Sequence, residues 1–165
     1  MKTRYITHAA VIAALYAALT VLAAAIPSVG TFMFGPFQVR IAEALTILPF
    51  FTPAAIPGLA IGCFISNLVG ATFGLGGGIL DIIFGTLATL AAAWCTSRIR
   101  QSWFAPLPPV LFNAFIVAAV LSFTLKMPYW PWVLSVGMGQ LIACYGLGYP
   151  LLLVLKKHPR LFKKQ

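Results

Sequence analysis

In a chain of 165 residues, 61% are hydrophobic and 8% are charged, with a mean hydropathy of +0.99. A soluble domain carries about a quarter charged residues, so polar groups cannot cover this surface and lipid must cover it instead. The formal net charge of +9 does not make a nucleic-acid binder, because the basic residues sit at the chain ends and in one internal loop, as membrane-flanking charges do.

A transmembrane helix needs roughly 20 apolar residues, and the chain offers six candidates. The first runs from Ile6 to Ile26 and stops at Pro27. It is a full span followed by others, which argues against a cleaved signal. The loop PSVGTFMFGP is apolar yet full of helix breakers, and is expected to fold back over the helix ends. The second span, about Phe37 to Phe51, is short for a crossing and carries Arg40 and Glu43. The third, about Ala54 to Ala71, has Asn67 near its end. A glycine cluster, Gly74 to Gly78, forms a turn that permits close backbone approach. The fourth, about Ile79 to Ser97, has Asp81 in its first turn, and Arg98 and Arg100 mark the loop after it. The fifth, about Ala105 to Leu125, contains Asn113. The loop KMPYWPW, Lys126 to Trp132, places aromatic rings at an interface, and the sixth span runs from about Trp132 to Leu155. Neither an internal repeat nor a second domain is visible, so residues 1–165 read as one transmembrane domain.

Six spans put both termini on one side. Lys2, Arg4, Arg98, Arg100, Lys156, Lys157, Arg160, Lys163 and Lys164 then share that side, against Lys126 alone on the other, with Arg40 inside the second span. This bias assigns the termini to the cytoplasm. The fold class is therefore an all-α integral membrane protein, a six-transmembrane-helix bundle with both termini cytoplasmic.

The chain has two acidic residues in all, Glu43 and Asp81. Arg40 and Glu43 are three residues apart and share a helix face. A charge within a bilayer must meet a partner, a cavity or a ligand. In this topology Arg40, Glu43, Asn67, Asp81 and Gln140 all lie in the outer half, Gln140 about 12 Å below the outer end at 1.5 Å per residue. Tyr129, Trp130 and Trp132 sit at the same mouth. The arrangement resembles an outward-facing pocket under a lid of loops. Asn113 falls nearer mid-membrane and reads as a helix-bridging amide. Cys63, Cys95 and Cys144 form no CxxC pair and read as core residues. His8 and His158 read as flank residues, and no HExxH, GxSxG or Walker sequence is present. No cofactor is expected in this chain.

Two alanine strips run along the first helix: Ala9, Ala13 and Ala17, and Ala10, Ala14 and Ala18. Small side chains let another helix come close, and spacing alone leaves packing within the bundle and docking of a partner as equal readings.

The segment AAVIAALYAALT, Ala9 to Thr20, resembles the first helix of the substrate-binding (S) components of energy-coupling factor (ECF) vitamin transporters. The strings FQVRIAEALTILPFF, IPGLAIGCFISNLVG and GGILDIIFGTLATLA resemble the QueT family in particular. The joined patterns R-x-x-E-A-L-T-x-L-P and L-D-I-x-F-G are the specific part, and the likeness covers nearly the whole chain. It implies an S component for a queuosine precursor, a 7-deazaguanine such as preQ1 or queuine, in a bacterial cell membrane. Its partners would be a transmembrane coupling subunit and two ATPase subunits that use the ATP. The resemblance also favours docking for at least one alanine strip.

For such a ligand, the carboxylate of Glu43 matches the adjacent N–H and amino group of a guanine edge. Arg40 either donates to the base carbonyl or holds Glu43 ionised, and it has the further option of snorkelling outward. Asp81 either enjoys a helix N-terminus or binds a cationic aminomethyl group. Asn67 and Gln140 offer donors and acceptors. Phe34, Tyr129, Trp130 and Trp132 either stack on the base or belong to an interfacial belt. The rivals are an S component for another vitamin-like molecule, an intramembrane enzyme using Glu43 and Asp81, and an ion-coupled carrier, for which the matching halves are lacking.

Overall fold

A computed structural model describes residues 2–26, 28–30 and 38–158. Most of the PSVGTFMFGP loop, Phe34 with it, and the tail from residue 159 lie outside the described residues. Among those described, the architecture is all helical: α1 (Lys2–Ala24), α2 (Ile41–Phe50), α3 (Ala55–Thr72), α4 (Gly78–Arg98), α5 (Ser102–Leu125) and α6 (Tyr129–Lys157). All but α2 are long and apolar enough to cross a membrane. The six-span expectation thus meets five long helices and one of ten residues.

Helices α1 and α3 run parallel. Tyr5 Oη donates to the Pro53 carbonyl oxygen at 3.4 Å, Gly58 lies on Ala9 and Ile12, and Gly62 lies on Ala13 and Tyr16. Each step up one helix is a step up the other. A Cβ on Gly58 would sit 2.7 Å from the Ala9 carbonyl oxygen, and one on Gly62 would sit 2.8 Å from Tyr16 Cβ. Glycine facing alanine is what lets these backbones close. Ala9 and Ala13 are buried in that seam and Ala17 is half-buried, whereas Ala10, Ala14 and Ala18 are exposed. Of the two strips, α3 covers that of Ala9, and that of Ala10 is left on the surface.

Two parallel neighbours require the chain to return between them, and α2 makes that return. Its Glu43 meets Tyr16 of α1, while Pro53, just beyond its end, meets Tyr5. It is a 3₁₀ helix, which rises about 2.0 Å per residue against 1.5 Å for an α-helix. Ten residues therefore cover about 20 Å rather than 15 Å. Seven of them are buried: Ala42, Glu43, Ala44, Thr46, Ile47, Leu48 and Pro49. α2 is packed by α1, α3, α4 and α6, with Gly148 of α6 set against Ala44.

Around this centre the long helices turn large apolar side chains outward, among them Leu15, Phe64, Leu87, Phe115 and Leu134. Such a surface suits hydrocarbon and not water. Three segments inside the long helices are wound as π-helix: Asp81–Gly85 in α4, Asn113–Val117 in α5 and Ile142–Gly148 in α6.

Replacing Gly62 by leucine is expected to force α1 away from α3 and to cost about 1–3 kcal/mol, as overpacking does. Thermal unfolding of the detergent-purified protein checks this, with Gly146→Ala as the control because no atom lies within 4 Å of its added Cβ. An unchanged midpoint for Gly62→Leu would contradict the tight seam.

Candidate functional site

Most of the predicted polar residues converge in the interior. Arg40, Glu43, Asn67, Asp81 and Gln140 are all buried, with relative exposures of 1–3%. The 3₁₀ geometry of α2 contributes directly, since residues three apart are stacked in such a helix. The Glu43 N–H donates to the Arg40 carbonyl oxygen at 2.9 Å, so both residues lie on one edge of the first turn.

The Glu43 carboxylate is held from two helices. Tyr16 Oη of α1 donates to Oε1 at 2.5 Å, and Asn113 Nδ2 of α5 donates to Oε2 at 3.3 Å. A carboxylate has about four acceptor positions, so these two bonds leave it able to accept more. Thr46 Oγ1 donates to the Glu43 carbonyl oxygen at 2.6 Å, and the Cys144 thiol approaches the same oxygen at 3.8 Å. That thiol also lies 3.6 Å from Gln140 Oε1, which links α6 to the group.

Asn67 is the second hub. Its Oδ1 accepts from Arg40 Nη2. Its Nδ2 donates to the Asp81 carbonyl oxygen at 3.0 Å and contacts Cys63 Sγ at 3.5 Å. One Asp81 oxygen, Oδ2, lies 3.5 Å from the Gly77 N–H. The other, Oδ1, is buried and accepts no hydrogen bond among the described residues. Only glycine fits beside this pair: a Cβ on Gly85 would stand 2.8 Å from Asn67 Nδ2 and 3.0 Å from Asp81 Oδ1. The preceding turn gathers three left-handed glycines, Gly74, Gly76 and Gly78 at φ +69°, +77° and +64°, and side chains rarely adopt that conformation.

Each π segment carries part of this cluster. Asp81 opens one, Asn113 opens another, and Cys144 lies in the third. A π turn takes in one extra residue and re-aims the side chains around it; such segments are rare and concentrate at functional sites. Gln38, just ahead of α2, is buried at φ +40°, an uncommon conformation for a non-glycine residue that marks a constrained approach to Arg40.

The remaining predicted residues lie in other surroundings. Trp132 is packed among Val117, Ala118, Leu121 and Val136. Trp130 is 68% exposed and lies against Tyr129, whose hydroxyl donates to the Phe115 carbonyl oxygen. These three rings occupy apolar packing and the helix end, where amphipathic aromatics are favoured. Asn113, read as a bridging amide apart from the site, does bridge helices, but through the Glu43 carboxylate itself. Tyr16 was missed altogether, because an alanine-rich helix gives no sign of which of its two phenols, Tyr5 or Tyr16, points inward. Among the described residues, no three His, Cys, Asp or Glu side chains converge in a way that suits a metal ion.

Long apolar helices closed around a buried polar cluster define a multi-pass membrane protein with a charge-bearing interior. The family model described as the QueT transporter matches residues 6–157. A curated relative, the queuosine precursor transporter QueT of Lactococcus lactis subsp. cremoris (strain MG1363), is 37% identical over 89 residues. That match covers 54% of this chain and 47% of the relative, so the chain spans about half the relative's length. No solved structure matches the chain significantly. The chain belongs to the QueT transporter family.

Tyr16→Phe is expected to destabilise the protein by about 1.5–3 kcal/mol, the range for a hydrogen bond to a charged group. Asn113→Leu removes the second donor to the same carboxylate, so the double variant should differ from the sum of the singles. Unfolding in mixed detergent measures all three, and strict additivity would show that the two donors do not share Glu43.

Proposed function

We propose that this protein is the substrate-specific subunit of an ECF-type importer and captures a queuosine precursor, a 7-deazaguanine such as preQ1 or queuine, in a pocket built on Glu43. Membership of the QueT transporter family and the printed name of the relative support the substrate class. The observation that carries the reading is the burial of both carboxylates, the only two acidic residues in the sequence, with Arg40 of the α2 entrance bonded to Asn67 of α3 and Asn67 donating to the Asp81 main-chain carbonyl of α4. Burying such groups in an apolar bundle is costly unless a function repays it.

In this reading the free acceptor capacity of Glu43 takes the N–H and amino group of the guanine edge, and Tyr16 and Asn113 fix the carboxylate's orientation. Arg40 and Asn67 address the base carbonyl. The unpartnered Asp81 oxygen receives the cationic aminomethyl group of the ligand. Gln140 closes the far wall. All six helices cross the membrane as a single domain with both termini cytoplasmic, α2 spanning with help from the residues before it. A transmembrane coupling subunit docks on the exposed strip of Ala10, Ala14 and Ala18, and two ATPase subunits drive uptake. This chain itself binds no cofactor.

Calorimetry on the detergent-purified chain should give binding of a 7-deazaguanine and none of thiamin or biotin. Glu43→Gln should weaken that binding by about 1.5–3 kcal/mol, the worth of hydrogen bonds to a charged group. Asp81→Asn should weaken an aminomethyl ligand more than a neutral 7-deazaguanine. Absence of any 7-deazaguanine binding to the intact chain would end the proposal. Separately, Ala14→Trp should block assembly with the coupling subunit while ligand affinity is unchanged. Normal co-purification of that variant with its partners would remove the strip as the docking face.

A further inference from the structure

The outer surface between α4 and α5 is hollowed into a groove of about 660 Å³, lined by Phe84, Leu87, Leu90, Trp94 and Ile116 with Ile56 and Ala91. Past Phe84 and Ile116 it continues into a second hollow of about 440 Å³ that reaches Leu80 and Phe123. Every lining side chain is apolar or aromatic. At the Trp94 end, the Arg98 guanidinium lies 4.9 Å from the centre of the Trp94 ring. Arg98 and Arg100 are exposed, and both acidic side chains of the chain are buried in the interior, so neither serves these cations. An anion from outside the chain therefore meets no competing carboxylate side chain there.

The dimensions fit a lipid. From Trp94 to Phe84 is ten residues of helix, about 15 Å at 1.5 Å per residue. That is half of the roughly 30 Å hydrocarbon core, the depth of one leaflet. An acyl chain starting beneath Arg98 would end where the first hollow meets the second. Bulky walls also argue against a helix as the occupant, because close helix approach uses small residues. Arginine forms paired hydrogen bonds to phosphate oxygens, and stacking on Trp94 holds it ready.

We propose that this groove is a binding site for an anionic phospholipid, with its phosphate on Arg98 and Arg100 and one acyl chain lying along Trp94, Leu90 and Phe84. The site is independent of the substrate assignment.

Delipidated protein in detergent, titrated with phosphatidylglycerol or with phosphatidylcholine of the same chains, tests it by native mass spectrometry and thermal unfolding. Phosphatidylglycerol should bind more tightly and raise the unfolding midpoint more. The double variant Arg98→Gln, Arg100→Gln should lose roughly tenfold or more in affinity for phosphatidylglycerol, with phosphatidylcholine unaffected. Ala91→Trp, or Leu87→Trp should the first fail to fold, should fill the groove and weaken phosphatidylglycerol with both arginines intact. Equal binding of the two lipids overturns the proposal, as does a phosphatidylglycerol preference that survives either set of changes. A photo-crosslinker at Leu90 that captures a polypeptide in native membranes, instead of lipid, also overturns it.

Discussion

The short hydrogen bond from Tyr16 to Glu43 joins the outer helix α1 to the innermost element of the bundle. A carboxylate removed from water must be bonded on most sides, because its desolvation is far larger than the worth of any single contact. Tyr16 supplies one donor and Asn113 another, from helices on different sides of α2. The same demand explains why Asn67 faces Arg40 and why Gly85 carries no side chain. Packing in this part of the molecule is arranged around polar satisfaction, and the apolar contacts fill what remains.

Backbone geometry serves the same end. A 3₁₀ helix of ten residues is unusually long for its type, since the bonding is poorer and side chains eclipse. Here the segment carries the chain back from the level of Tyr16 to that of Tyr5 along α1. Eclipsing becomes useful, because it stacks Arg40 and Glu43 on one edge. The π turns of α4, α5 and α6 do related work from the other side, re-aiming Asp81, Asn113 and Cys144 toward α2.

Much of this was legible in the residues. Charges are so scarce that Arg40, Glu43 and Asp81 stood out, and apolar runs marked the long helices within a few residues. The seam between α1 and α3 was half legible: alanine spacing announced a close contact, but both strips repeat at the same interval, and only Gly58 and Gly62 decide which one α3 takes. Tyr16 and Asn113 were not legible as a pair, because they are nearly a hundred positions apart and each looks ordinary in its own helix. The aromatic cluster from Tyr129 to Trp132 was legible only as two alternatives, base stacking or an interfacial belt. Rings beside a mouth are conspicuous in sequence, yet rotation about α6 sends Trp132 into apolar packing and Trp130 outward.

The shortness of α2 bears on how the protein is made. Ten residues with a glutamate in the first turn and an arginine at the entrance are a poor substrate for insertion on their own, because charges are costly in hydrocarbon. Their place in the fold is therefore secured by helices synthesised later, α3, α4 and α6, and by the phenol of α1. The polar cluster draws on residues from Tyr16 to Cys144, so it is complete only when nearly all of the chain has been made.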